Sequence, residues 1–216
     1  MKYKAVIFDL DGTLLDTLED LADSVNYVLK EAGYPVRTLE EIRAFVGNGI
    51  RKLIERSVPE GTSLDSIDHV HQNFIAYYRE HCMEKTKPYD GIMEMLHALQ
   101  NAGCKIAVVS NKADYAVQIL CDKYFNNIFD AALGEQIGTP KKPAPDAVFK
   151  VLNTLNVSPS ESVYIGDSDV DLLTARNSDM DEIIVDWGFR DREYLKEQGA
   201  KVLVSTSDEL LNLILW

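Results

Sequence analysis

The sequence predicts an α/β protein: a Rossmann-like core built on a parallel sheet, interrupted early by an all-helical insertion. Three observations carry this expectation. Ala5, Val6, Ile7 and Phe8 form a short run apolar on both faces that ends in the paired aspartates Asp9 and Asp11, and such runs suit a buried parallel strand. Between residues 15 and 88 the apolar residues recur only at helical spacing, with no strand-like run. Beyond residue 88 strand and helix patterns alternate, which implies a parallel sheet with helices on both faces. The expected division is a core of residues 1–14 and 88–216 with a helical insertion at 15–87.

Each element has its own signal. In the insertion, Leu18, Leu21, Ala22, Val25, Val28 and Leu29 fall on one helical face, and Gly33 follows as a stop. Thr38 and Glu41 make a capping-box pair for a second helix. A third helix starts near Gly49 and a fourth covers 64–82. After the insertion, strands are expected at 104–109, 129–133, 163–165, 182–185 and 201–204. Helices are expected near 92–101, 113–124, 145–155, 169–177, 193–198 and 208–213. Gly103 and Gly199 sit where helix stops belong, and Ser207 suits an N-cap.

The composition narrows the function. With 46% hydrophobic and 26% charged residues in 216, the chain can build a core and stay in solution. No apolar run approaches the ~18 residues a membrane span needs. The start, MKYKAVIFDL, runs into a strand without a signal-peptide core. Cys82, Cys104 and Cys121 are scattered without metal-ligand spacing, as expected of reduced thiols in the cytoplasm. A net charge of −13 argues against nucleic acid or an anionic membrane as partner. An anionic substrate would need a local positive site supplied by a metal and one or two lysines. His69, His71, His81 and His97 show no ligand spacing, and nothing separates a monomer from a homodimer.

The chemistry-bearing residues follow strands. In FDLDGT, Asp9 and Asp11 arrive at the rim of the sheet, where open α/β folds place ligands. One carboxylate can act as a nucleophile and the other can handle protons. Gly12 lets the backbone turn sharply. An Asp-Gly hairpin is the competing reading, but a helix pattern follows instead of a second strand. Ser110 and Asn111 end the run CKIAVVS and offer donors to phosphoryl oxygens, although Ser-Asn after a strand also reads as a plain turn. TPKKPAPDAVF presents a lysine pair in a proline-limited loop. In VYIGDSDVD, Asp167 and Asp171 can face one pocket and suit a hard cation such as Mg2+. A calcium EF-hand loop is excluded, because Leu172 and Ser178 stand where it needs glycine and glutamate.

Four such motifs in this order resemble the haloacid-dehalogenase-like hydrolases, and the resemblance spans the whole chain. It implies a Mg2+-dependent phosphatase acting on a small phosphorylated metabolite. By that resemblance Asp9 is the nucleophile, and Asp11 protonates the leaving oxygen and later activates water. Thr13, Ser110 and Asn111 hold the phosphoryl oxygens, and Lys142 of the Lys-Pro-x-Pro pattern steadies charge. The metal lies on Asp9, Asp167 and the carbonyl of Asp11, with Asp171 in support. The insertion acts as a cap that selects substrate. Its stretch FVGNGIRKLIERSV, with Gly47, Asn48, Gly49 and Arg51, resembles phosphoglycolate phosphatases. Arg51 can meet the carboxylate of 2-phosphoglycolate, or it can be a solvated helix residue. A pyrophosphatase, a sugar-phosphate mutase or a non-catalytic binding module on the same fold are the alternatives. In one departure, Ser178 and Asp179 stand where relatives commonly have Ala-Gly, which implies local strain without loss of chemistry.

Overall fold

The computed structural model describes residues 2–216. The first strand, β1 (Ala5–Phe8), is buried along its whole length. The chain then makes a two-residue strand, β2 (Leu15–Asp16), and four helices: α1 (Leu18–Glu31), α2 (Leu39–Phe45), α3 (Ile50–Ser57) and α4 (Leu64–His81). A second short strand, β3 (Lys87–Pro88), pairs antiparallel with β2, placing Leu15 opposite Pro88. The sequence reading missed this ribbon because two residues are too few to show a period. It joins the outgoing and returning chains at one point. Asp20 on α1 reinforces the join, its buried carboxylate accepting from the backbone N–H groups of Lys85 and Thr86 and from the Thr86 hydroxyl.

The remaining chain alternates as expected. It runs through α5 (Ile92–Asn101), β4 (Lys105–Ala113), α6 (Asp114–Phe125), β5 (Ala131–Glu135), α7 (Asp146–Leu155) and β6 (Ser162–Gly166). It finishes with α8 (Asp169–Asn177), β7 (Asp181–Val185), α9 (Arg192–Glu197), β8 (Leu203–Val204) and α10 (Ser207–Leu215). The six longer-range strands form one sheet in the order β5-β4-β1-β6-β7-β8, and every neighbouring pair is parallel. β1 is central because its four apolar residues can be buried on both faces. After β1 the chain builds first on one side and then on the other, so the carboxyl ends of β1, β4 and β6 surround the point where strand order reverses.

Predicted caps largely hold. Thr38 and Glu41 form the reciprocal capping box of α2. The expected N-cap Ser207 is instead the first residue of α10; Thr206 caps it, accepting from the N–H of Glu209. Both are hydroxyl residues, so the sequence alone shifts the boundary by one. β4 runs past the predicted end at 109, and its pairing with β5 is regular at Val109–Leu133, irregular beyond, and restored at Ala113–Glu135. That break frees Ser110, Asn111 and Lys112 from the ladder.

The Ser178–Asp179 departure has a structural cost. Ser178 is fully buried, and its hydroxyl has no hydrogen-bond partner among the described residues. Asp179 adopts φ 54°, a conformation that disfavours side chains other than glycine. Converting the pair to Ala-Gly is expected to raise stability by roughly 1–2 kcal/mol. A gain of a few degrees in Tm would show it, and an unchanged or lower Tm would refute it.

Candidate active site

The site grows out of β1. Asp9 follows the last strand residue, and its Oδ1 accepts the N–H of Leu10 at 2.7 Å and lies 3.0 Å from the ammonium of Lys142. Gly12 has φ 81°, and a Cβ there would fall 2.4 Å from Asp167 Oδ2. Gly188 presses Asp167 from the other side, where a Cβ would sit 2.5 Å from that same oxygen. These two close approaches hold Asp167 beside Asp9. Its Oδ1 accepts from the Thr13 hydroxyl at 3.3 Å and its Oδ2 from the N–H of Phe189 at 2.7 Å.

Lys142 follows from the proline-limited loop, and its peptide to Pro143 is cis. Its ammonium is buried against Asp171 Oδ1 at 2.7 Å and the Tyr164 hydroxyl at 3.0 Å. Burial works against that charge, but Asp171 and Asp9 outweigh it and hold the Lys142 pKa well above the usual value. Burial pushes the Asp9 carboxyl up to about 6, with Lys142 pulling the other way and Asp171 and Asp11 adding to the rise. Asp167 is pushed up to about 8 by burial first and then by Asp171 and Asp9.

One carboxylate oxygen from each of Asp9, Asp167 and Asp171 lies within 4.8 Å of the others. The crowding leaves negative charge that Lys142 does not offset, and the donors are all oxygen, so the residues fit a hard divalent cation. Asp171 is the least free of the three. Its Oδ2 accepts from the N–H groups of Asp167 and Ser168 and from the Ser168 hydroxyl, while Lys142 takes Oδ1. It supports the cluster from behind.

Asp11 lies on the floor of the same cavity as Asp9. Its Oδ1 accepts from the Thr17 hydroxyl at 2.8 Å, and the ammonium of Lys112 reaches its two oxygens at 3.0 and 3.2 Å. The same ammonium donates to the hydroxyl of Tyr78 on α4 at 2.7 Å. Thr17, Lys112 and Tyr78 escaped the sequence reading. The available signal was Lys112 itself, a lysine continuing an otherwise buried strand.

The cavity is floored by Asp9, Asp11, Ser110, Asn111, Lys112 and Asp167. It is walled by Leu21, Val46, Gly47, Gly49, Ile50 and Leu53 of the helical segment and by Phe189 and Arg190. Two arginines tie these walls together. Arg43 of α2 donates to the carbonyls of Phe189 and Gly188 and to Asp191. Arg190 answers by donating to the carbonyls of Arg43 and Val46, both at 2.8 Å.

Four expectations about side chains change. Asn111 does not present its amide to the cavity as a phosphoryl donor. That amide donates to the carbonyls of Gly47 and Lys142 and accepts from the N–H of Lys142, which leaves its backbone for a ligand. The Thr13 hydroxyl is turned to Asp167. Arg51 does not line the cavity, because its guanidinium is held by Glu55 and Asp68. Asn48 likewise points away and accepts from Arg56. Gly47 and Gly49 line the cavity.

This fold, with acidic groups and a buried lysine at the reversal of strand order, defines a hydrolase of known type: the chain belongs to the haloacid dehalogenase-like hydrolases, whose family profile, described as "Haloacid dehalogenase-like hydrolase", matches residues 6–185. It is similar to the phosphoglycolate phosphatase of Psychrobacter arcticus, 37% identical over 88% of this chain and 86% of that protein. A crystal structure of a candidate phosphoglycolate phosphatase from Lactobacillus delbrueckii subsp. bulgaricus superposes with TM-score 0.94, at 40% identity and 99% coverage of both chains. CbbY from Rhodobacter sphaeroides, solved in complex with phosphate, matches with TM-score 0.77 and 25% identity over 96% of each chain. Among the described residues no helix is long and apolar enough to cross a membrane.

Proposed function

We propose that the protein is a Mg2+-dependent cytoplasmic phosphatase that hydrolyses 2-phosphoglycolate through an aspartyl-phosphate, with residues 15–87 acting as its cap. The observation that carries this reading is the juxtaposition of Asp9 and Asp11 on the floor of one cavity roofed by Val46, Gly47, Gly49, Ile50 and Leu53, with the buried ammonium of Lys142 3.0 Å from Asp9. Asp9 Oδ1 is occupied by Leu10 and Lys142, so Oδ2 is the attacking atom. It forms a bond to phosphorus as the bond to the ester oxygen breaks, and Asp11 delivers the proton that oxygen needs. Asp11 then takes a proton from water, which attacks phosphorus and releases phosphate and Asp9. Lys142 stays in place throughout and offsets charge on Asp9 and the phosphoryl group. Asp9, Asp167 and the Asp11 carbonyl would hold Mg2+, whose bound charge stabilises the phosphoryl oxygens. The apolar walls Leu21, Ile50, Leu53 and Phe189 exclude bulk water and strengthen these interactions.

The relatives' names support the substrate. Phosphate release with Mg2+ from 2-phosphoglycolate, pyrophosphate, glucose phosphates and nucleotides tests it. kcat/KM for 2-phosphoglycolate is expected to exceed the others at least tenfold. Slow activity spread evenly over the panel would reject the substrate and turn attention to phosphoryl transfer between sugars.

A further inference from the structure

We propose that Lys112 is the residue that reads the substrate's second anionic group, the carboxylate next to the ester oxygen. This rests on the substrate reading above and names the group that recognises it. Of the side chains lining the cavity only Lys112 and Arg190 are cationic. Arg190 is fastened to the roof through the carbonyls of Arg43 and Val46 and faces Asp169 at 3.9 Å. Lys112 is differently placed. An ammonium has three N–H donors; the two Asp11 oxygens, at 3.0 and 3.2 Å, lie close enough together to share one and Tyr78 takes another, which leaves one for a ligand.

Its position relative to Asp11 decides which ligand. Asp11 is the proton donor to the ester oxygen, so that oxygen must come within hydrogen-bond reach of it. In a phosphorylated 2-hydroxy acid the carboxylate carbon is two bonds from the ester oxygen, and its oxygens lie within ~3–3.5 Å of it. A cation 3.0 Å from Asp11 therefore meets that carboxylate when the ester oxygen meets Asp11. A longer substrate would carry its charge past Lys112, and an uncharged alcohol would leave the buried ammonium without the extra acceptor. Lys112 is 4% exposed, so bulk water competes little for its ammonium, and the Tyr78 hydroxyl of α4 fixes it in place. The ligand class is a short 2-phospho-oxy carboxylate.

The test compares 2-phosphoglycolate with ethyl phosphate, which matches it in size and lacks the carboxylate. Wild-type, Lys112→Met and Lys112→Arg are assayed with both, and Lys112→Gln, which keeps a donor without the charge, is run beside them in case the methionine variant folds poorly. Removing the charge is expected to lower kcat/KM for 2-phosphoglycolate roughly 100-fold and for ethyl phosphate only a few-fold. Lys112→Arg should restore part of the preference. A purely structural role, acting through Asp11, would lower both substrates equally and would overturn the assignment. A preference that survives in Lys112→Met and Lys112→Gln would overturn it as well, while leaving the substrate intact. If wild-type itself fails to prefer 2-phosphoglycolate, the substrate reading and the role of Lys112 fall together.

Discussion

Asp9→Asn is expected to abolish phosphate release, by roughly 10⁴-fold or more, because an amide oxygen cannot replace the carboxylate as nucleophile. The fold should survive the change. Asp9 sits in a crowd of buried carboxylates, and burial and its acidic neighbours already press it toward the uncharged form. Asparagine keeps the shape and removes one of the repelling charges. Lys142 loses one partner but keeps Asp171 at 2.7 Å and Tyr164 at 3.0 Å. The metal-free variant should therefore melt at or above the wild-type temperature while its activity disappears. Near-normal turnover would show that another group attacks phosphorus. A sharp fall in Tm would show that Asp9 is a structural partner of Lys142 first.

Removing the metal should have the second large effect, and its size should depend on pH. The folded pKa values of Asp9 and Asp167, about 6 and about 8, stand above the ordinary 3.8. Without metal the folded state thus holds more protons than the unfolded chain between about pH 4 and pH 8. The stability these two groups contribute is full below about pH 4 and is lost as pH rises through their folded values. At roughly 1.4 kcal/mol per unit of displacement the loss amounts to several kcal/mol. A divalent cation displaces those protons and cancels the repulsion, so it binds better as pH rises. The gap in Tm between Mg2+-loaded and chelator-treated protein is expected to widen steadily from about pH 5.5 to about pH 8.5. A gap that stays constant or narrows would mean that the cation is not held by these carboxylates.

Residues whose placement is set by their own strand or turn were legible in the sequence. Asp9, Asp11, Gly12, Asp167 and Asp171 each follow an apolar run, and the run fixes where the side chain arrives. The alternation after residue 88 exposed the sheet for the same reason, since period and turn signals are local. What stayed hidden depends on partners far along the chain. The Asn111 amide is consumed by Gly47 and Lys142, and the Thr13 hydroxyl by Asp167; no spacing announces either. Lys112 adjoins a recognised motif, yet its partners come from α4 and from the loop after β1. Arg51 was half legible: Glu55 four residues on is an ordinary helix-surface pair, whereas Asp68 comes from the next helix. The cavity's recognition cation had to be found in space.

The exchanged arginines, Arg43 and Arg190, join roof and floor by a short run of hydrogen bonds. Arg43 holds the carbonyls of Gly188 and Phe189, and the N–H of that same Phe189 holds Asp167. The peptide groups around Phe189 thus face the roof with their carbonyls and the acidic floor with an N–H. A single residue, Phe189, stands between α2 and Asp167. Any coupling through these bonds is reciprocal: whatever free energy the seating of the roof lends to a cation at Asp167, a cation bound there returns to the roof.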